Sequence, residues 1–258
     1  MERSADRMVG KASWDSGSVP REASEKIARV IFWCCVMPRT ARASLGGVCT
    51  HVMNRGNGRG EVFHKEADYE RFLEMVAEAG DRVAMRVLGW CLMPNHFHLV
   101  VWPLEDGDLG RWMQWLMTSH VRRYHRHYHS SGHVWQGRYK AFAIQEDGHY
   151  LTVLRYVERN ALRAGLVERA EDWRWSSVCG WARGQQDWLL SEGPVARPRE
   201  WVRLVNAEQR SEEAERIRTC MQRQRPLGGP IWTKRMAKVL GLECSIRPLG
   251  RPRKPEKK

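Results

Sequence analysis

Apolar positions along this chain recur first at every second residue and then at every third or fourth, and the alternation of the two periods outlines a fold. Val48 to Met53 alternates as a strand does, and Asn54-Arg55-Gly56-Asn57-Gly58 behind it is a turn signal. Tyr69, Phe72, Leu73 and Val76 fall at helical spacing after Asp68, which can cap a helix running to about Ala79. Arg82 to Leu92 and His96 to Trp102 read as two strands around a Met93-Pro94-Asn95 turn. Leu109 to Tyr128 forms a second helix bearing Trp112, Trp115, Leu116, Met117 and Val121. His133 to Ile144 reads as another strand, and Asp147 to Ala164 as a third helix closed by Gly165. The order β-α-β-β-α-β-α predicts an α+β fold, an antiparallel sheet with helices packed on one side.

Both ends depart from this pattern. Met1 to Glu25 is polar and Gly/Ser-dotted, without sustained periodicity, and reads as disordered. Residues 1–36 are therefore expected to be an extension, or an upstream start ahead of Met37. Residues 37–181 are expected to form one domain, 182–206 a linker and 207–258 a basic helical tail. Within the tail, Ala207 to Arg223 is a charged amphipathic helix and Ile231 to Leu240 a short basic one ending at Gly241. Gly250-Arg251-Pro252 has the form of an AT-hook core, in which Arg251 and Arg253 would enter a narrow A/T-rich minor groove. The plainer reading is a disordered basic tail that adds salt-sensitive, non-specific affinity; both readings put it on DNA.

Composition narrows the class. The 258 residues are 42% hydrophobic, enough for one sizeable core. A formal charge of +13 favours a polyanionic partner without separating DNA from RNA or an anionic membrane. Val30 to Met37 is an apolar run too short to cross a bilayer, and the mixed charges before it fit no signal peptide, so a cytoplasmic protein is expected. The seven cysteines are odd in number and lack C-x-x-C spacing, which argues for reduced thiols filling the core.

Two constellations carry chemistry. In Asn95-His96-Phe97-His98-Leu99-Val100-Val101, a strand aims His96 and His98 to one face and Phe97 to the other. Two imidazoles on one face can clamp a divalent metal, with another element supplying the remaining ligand. The bland alternative is one buried histidine and one at the surface. On the third helix, Tyr156 and Asn160 are four residues apart and share a face. A tyrosine beside a metal-binding carboxamide could attack a phosphate with a cation's help. The alternative is a core tyrosine and an asparagine near a helix end. Tyr124-His125-Arg126-His127-Tyr128-His129 holds more histidines, but in a helix i and i+2 diverge. It reads as a basic surface patch, with Tyr124 and Tyr128 as rival nucleophiles.

Leu92-Met93-Pro94-Asn95-His96-Phe97-His98-Leu99-Val100 resembles the histidine-hydrophobic-histidine motif of HUH endonucleases. Its flanks are similar to those of the single-tyrosine, insertion-sequence-200-like transposases, and most of all the REP-associated tyrosine transposases. The segments His51-Val52-Met53-Asn54-Arg55-Gly56-Asn57, Gly132 to Lys140, Arg155 to Gly165 and Trp173 to Ser177 extend the resemblance over roughly Met37 to Trp181. It implies a ferredoxin-like HUH endonuclease fold and a metal-dependent enzyme that cuts and rejoins single-stranded DNA at hairpin-forming, REP-like repeats. His96 and His98 match the metal pair, normally serving Mg2+ or Mn2+, and Asn160 the third ligand. Tyr156 matches the nucleophile, which keeps a 5′-phosphotyrosine and releases a 3′-hydroxyl. Relatives act as single chains or as dimers, so monomer and homodimer both remain open. One departure stands out: the family commonly has Asn-Pro here, whereas Ala161 follows Asn160. No Walker-type motif is present, so no nucleotide cofactor is expected, nor a membrane. A replication initiator or relaxase would bring a helicase domain or a second paired tyrosine, and neither is seen. A domesticated hairpin DNA- or RNA-binding protein that does not cut is the other reading, though it would need none of His96, His98 and Tyr156.

The remaining expectations concern nucleic-acid contacts. Trp135, beside Gln136, Arg138 and Lys140, is placed to stack on an unpaired base. Arg55, Arg59, Arg138 and Lys140 are expected phosphate contacts, each otherwise a solvated charge. Trp90, Trp112, Trp115, Trp173 and Trp175 are expected in the core.

Overall fold

Alternating apolar residues at Thr50–Arg55, Met85–Met93, His96–Pro103 and Lys140–Ala143 form strands β1 to β4. They were located in a computed structural model that describes residues 45–185 and 187–247. The expectations for residues 1–36, and for Arg251 and Arg253, lie outside the described residues. The strands pair antiparallel in the order β2-β3-β1-β4. Helix α1 (Glu66–Arg82) links β1 to β2, and α2 (Asp108–Tyr128) links β3 to β4. This is the β-α-β-β-α-β path of a ferredoxin-like sheet.

The pleat sorts side chains between two cores. Val52, Leu92, Phe97, Leu99 and Val101 face α1 and α2, where they meet Phe72, Met75, Val76, Trp112, Met113 and Leu116. Burying each such large side chain stabilises the fold by about 1.5–3 kcal/mol. Cys49, Met53, Cys91, Met93, Val100 and Phe142 face the other way. That second face is covered by α3 (Gly148–Glu158), through Tyr150, Val153, Leu154, Tyr156 and Val157. The expectation of helices on one side is thus correct for α1 and α2 and wrong for the third helix. Both faces of β2 and β3 are apolar, so leaving either open would expose core to water. Gly89 permits the close fit: a Cβ there would lie 2.2 Å from Cδ1 of Leu154.

Local chemistry sets the element ends. Asp147 caps α3, accepting from the His149 N–H at 2.8 Å. The expected single helix divides at Arg159 into α3 and the short α4 (Asn160–Arg163), and Gly165 ends it in a left-handed conformation at φ 70°. Asp68 sits at the third position of α1 and not at its cap. From there it reaches back to the N–H groups of His64 (3.0 Å) and Lys65 (3.3 Å). The fourth strand is shorter than predicted. Residues 133–139 meet β1's end only through single bonds, such as Gln136 N–H to the Arg55 carbonyl at 2.8 Å.

The boundaries at 181 and 206 do not hold. Helices α5 (Ser177–Ala182), α6 (Trp201–Asn206) and α7 (Ser211–Arg223) pack on the second face, and the described residues belong to one unit. Trp201, Val205, Ile217, Cys220 and Met221 share the core that holds Tyr156. The supposed linker is core because Glu158, fully buried, accepts from Trp201 Nε1 (2.6 Å), Ser177 Oγ (2.6 Å) and Arg197 Nη2 (3.0 Å). Helices α8 (Pro230–Val239) and α9 (Glu243–Ile246) follow. Cys49, Cys91, Cys179 and Cys220 are buried free thiols, and Cys244 is an exposed one.

Candidate active site

Strand β3 turns His96 and His98 away from Phe97 and onto the second face. Their ring centroids lie 5.1 Å apart. In register beside them are Arg55 and Met53 of β1. Helix α3 crosses this face and sets the Tyr156 ring perpendicular to that of His98, 6.0 Å away. A cleft of about 520 Å3 opens here, lined by His96, His98, Tyr156, Arg55, Arg138 and Lys140. Arg163 of α4 and Arg218 and Gln222 of α7 complete its wall.

Hydrogen bonds settle which ring nitrogens face the cleft. Asn95 Nδ2 donates to the Arg59 carbonyl at 3.0 Å, which turns its Oδ1 toward His96 Nδ1 at 2.6 Å. That amide oxygen can only accept, so His96 carries its proton on Nδ1 and keeps a lone pair on Nε2. His98 Nδ1 lies 2.9 Å from His51 Nε2, which likewise leaves His98 Nε2 toward the cleft. Burial pulls His96 down to about 4, helped by the cationic Arg55 and Arg163. Burial, with His51, His96 and the same arginines, holds His98 well below the ordinary imidazole range. Both rings are therefore neutral at neutral pH.

Two neutral imidazoles that turn Nε2 to one face fit a divalent cation, provided His98 carries its proton on Nδ1 as His96 does. Among the described residues no group of three or more His, Cys, Asp or Glu side chains gathers, so further ligands would have to be other oxygens. Asn160 is buried, and its Oδ1 accepts from Arg163 Nη2 at 2.8 Å while its Nδ2 has no partner. It does not line the cleft, and the Arg163 guanidinium occupies one of the two lone pairs of its Oδ1. The same guanidinium lies 4.1 Å from the Tyr156 ring centroid, a cation–π contact.

The other sequence expectations divide. Arg55, Arg138 and Lys140 line the cleft, as a phosphate track would require. Arg59 is exposed in a left-handed turn (φ 63°) and does not line it. Trp135 is not a surface stacking platform: it is 5% exposed, with its ring 5.3 Å from Phe97 and 5.1 Å from His120. The irregular segment around Trp135 has too few apolar neighbours to show a period, which hid that this residue belongs to the α1/α2 core. The rival tyrosines sit on that opposite side of the sheet. Tyr128 donates to Asp68 at 2.5 Å, and burial together with that carboxylate pushes its phenol up, away from nucleophilic use. Tyr124 Oη bonds His64 Nε2 at 2.9 Å, His127 pairs with Lys65, and His125 bonds Ser130 and Gly132. In this histidine-rich stretch Tyr124, His125, His127 and Tyr128 each have a partner within the domain.

Sequence reasoning missed Arg163, Arg218, Gln222 and His51 as site residues. Arg163 and His51 lay inside the segments that carried the resemblance. Strand parity could have placed His51 on the His98 face, because Met53 pairs with His98 and His51 with Val100. Nothing in the sequence brings α7 to the cleft.

Comparison with known proteins finds the following similarities. The family model described as "Transposase IS200 like" matches residues 45–160, a stretch that holds His96, His98, Tyr156 and Asn160. The REP-associated tyrosine transposase of Escherichia coli (strain K12) is 22% identical over 135 residues, 51% of this chain and 76% of that protein. A relative from Haemophilus influenzae is 29% identical over 98 residues, 34% of this chain and 55% of its own length. A solved REP-associated tyrosine transposase bound to a REP hairpin superposes with a TM-score of 0.44 at 20% identity, over 60% of this chain and 92% of that one. No helix among the described residues is long and apolar enough to cross a membrane. Over residues 45–160 the chain is similar to the IS200-like transposases, and among curated proteins to the REP-associated tyrosine transposases.

Proposed function

We propose that this protein cleaves and rejoins single-stranded DNA at hairpin-forming, REP-like repeats, with Tyr156 as nucleophile. The observation that carries the proposal is the meeting of Tyr156 with His96 and His98 in one basic cleft. A tyrosine whose only task is packing needs no neutral imidazole pair and no lining of four arginines and a lysine, Arg55, Arg138, Arg163, Arg218 and Lys140.

In the proposed reaction Tyr156 Oη attacks the scissile phosphorus while the P–O3′ bond breaks. The bonding pair goes to O3′, the phenol gives up its proton and O3′ takes one up, and the 5′-phosphate remains on the tyrosine. The 3′-hydroxyl of another strand end reverses the step, so no external energy source is required. His96 and His98 would hold a divalent cation through Nε2, with Asn160 a further ligand if its carboxamide turned to the cleft. A Mg2+ or Mn2+ ion held there would polarise the phosphate as a Lewis acid. Arg55, Arg138 and Lys140 hold the strand's phosphates along the cleft. Hairpin DNA is the partner because the relatives' names tie them to REP elements, and the extended basic wall suits an unpaired backbone.

The test is a labelled single-stranded hairpin carrying the host's repeat, incubated with Mg2+ or Mn2+ and with the wild type, Tyr156→Phe or His96→Ala. A metal-dependent nick with a covalent protein–DNA adduct, both lost in Tyr156→Phe, is expected. An adduct surviving Tyr156→Phe moves the nucleophile elsewhere, and tight binding without any nick turns the protein into a non-cutting hairpin binder.

A further inference from the structure

His51 is fully buried on β1, paired across the sheet with Val100 on one side and Phe142 on the other. Its ring leans on Phe142 at 4.9 Å and reaches diagonally to His98, whose Nδ1 lies 2.9 Å from its Nε2. Its remaining nitrogen, Nδ1, is buried with no partner. A histidine placed only for packing gains nothing from this arrangement: a buried polar atom left unpaired costs about 1–3 kcal/mol, and Phe or Leu would fill the same space.

We propose that His51 is a positioning residue that accepts the Nδ1–H of His98 and thereby aims the His98 Nε2 lone pair into the cleft. Two neutral imidazoles can share their hydrogen bond in two ways. If His51 donates, His98 carries its proton on Nε2 and presents an N–H to the cleft, useless to a cation. If His98 donates, the lone pair faces the cleft and the proton of His51 retreats to its own unpartnered Nδ1. The charges around the site select the second arrangement. Arg163 and Arg55 act on the cleft side of His98, and a positive field favours a lone pair there over an N–H dipole. Metal-binding histidines commonly donate their other ring N–H to a carboxylate, a carbonyl or water; here a second imidazole takes that part. His96 has the equivalent support from Asn95 Oδ1, so each ring of the pair is locked from behind by a separate acceptor. The inference rests on the reading of His98 as a metal ligand.

The test begins with the metal-free protein. Long-range 15N–1H spectra of the histidine side chains give the tautomer of each ring, and His98 is expected as the Nδ1–H form. In His51→Phe, which keeps a ring but no acceptor, that form loses its dominance. Mn2+ affinity, read by electron paramagnetic resonance without DNA, falls by about 10–100-fold. His51→Gln, whose carboxamide oxygen can accept, recovers part of the loss, and it serves as the second variant should His51→Phe not fold. His98 found as the Nε2–H form in the wild type, or unchanged Mn2+ affinity in folded His51→Phe, overturns the proposal. A wild type that binds no Mn2+ yet shows the Nδ1–H form and its loss in His51→Phe sinks the metal reading and leaves His51's hold on the tautomer standing.

Discussion

Replacing Glu158 by alanine removes the acceptor on which three donors from two later segments converge. Glu158 has no exposure, and the Arg197 side chain that pairs with it is 8% exposed. Cutting one partner out of such a buried ion pair costs about 3–5 kcal/mol, because the other charge is left without compensation. The Trp201 N–H, 2.6 Å from Oε2, is orphaned as well, for about 1–3 kcal/mol more. Two fallbacks soften the loss: Arg197 Nη2 also donates to the Leu88 carbonyl at 2.9 Å, and Ser177 Oγ can turn to the Trp90 carbonyl at 3.2 Å. The net expectation is therefore about 3–5 kcal/mol, a large share of a typical domain's 5–15 kcal/mol. Urea unfolding followed by tryptophan fluorescence measures it directly. A double-mutant cycle with Trp201→Phe should return a coupling of about 0.5–3 kcal/mol. A loss below about 1 kcal/mol for Glu158→Ala would refute the reasoning, since that is what a single solvated hydrogen bond is worth.

Gly89→Ala should cost about 1–3 kcal/mol in the same unfolding assay, because its methyl meets Cδ1 of the buried Leu154 and forces that side chain to repack; unchanged stability would show that the helix seat is slack. Arg163→Ala should lower the cleavage rate more than hairpin affinity, and Arg163→Lys should recover little, since a point charge cannot both lie over Tyr156 and hold Asn160; equal losses in rate and affinity would make Arg163 a plain phosphate contact. Burial lowers His51 to about 3 and His96 to about 4, from 6.5. The unfolded chain then takes up protons below about pH 6.5 that the folded one refuses, so metal-free stability should be full above that pH and decline toward pH 4. The His96 share is roughly 3 kcal/mol at most, and urea midpoints that stay flat from pH 7 to 4 would contradict it. Tyr128→Phe should cost stability through the lost Asp68 bond while leaving the covalent adduct with DNA intact; loss of the adduct in folded Tyr128→Phe would reopen the choice of nucleophile.

How far the sequence could be read depended on whether a feature was local. The four strands, α1 and α2 follow from short-range periodicity; parity and helical spacing left His96, His98 and Tyr156 open to a plain packing role, and the family resemblance singled them out. The side of the sheet that α3 takes is a tertiary fact. It depends on apolar residues on both faces of β2 and β3 and on Gly89 leaving room for Leu154. Trp135 was misread because burial in an irregular segment leaves no period to detect. The stretch 182–206 looked like a linker because its anchor, Glu158, is charged and lies far away in sequence. Charge alone gave no reason to place Arg218 at the cleft and Tyr128 away from it.

The cleft is closed by α7, which a ribosome would make well after the tyrosine helix. At synthesis rates of about 5–20 residues per second, the interval between Asn160 and Arg223 lasts roughly 3–13 seconds. During that interval the sheet can pair and α1 and α2 can dock, but the Tyr156 face still lacks Trp201, Ile217 and Met221. The face that holds Tyr156 is covered after the opposite face has its helices, so a nascent chain carries its tyrosine, histidines and basic strands before α7 is there to wall the cleft.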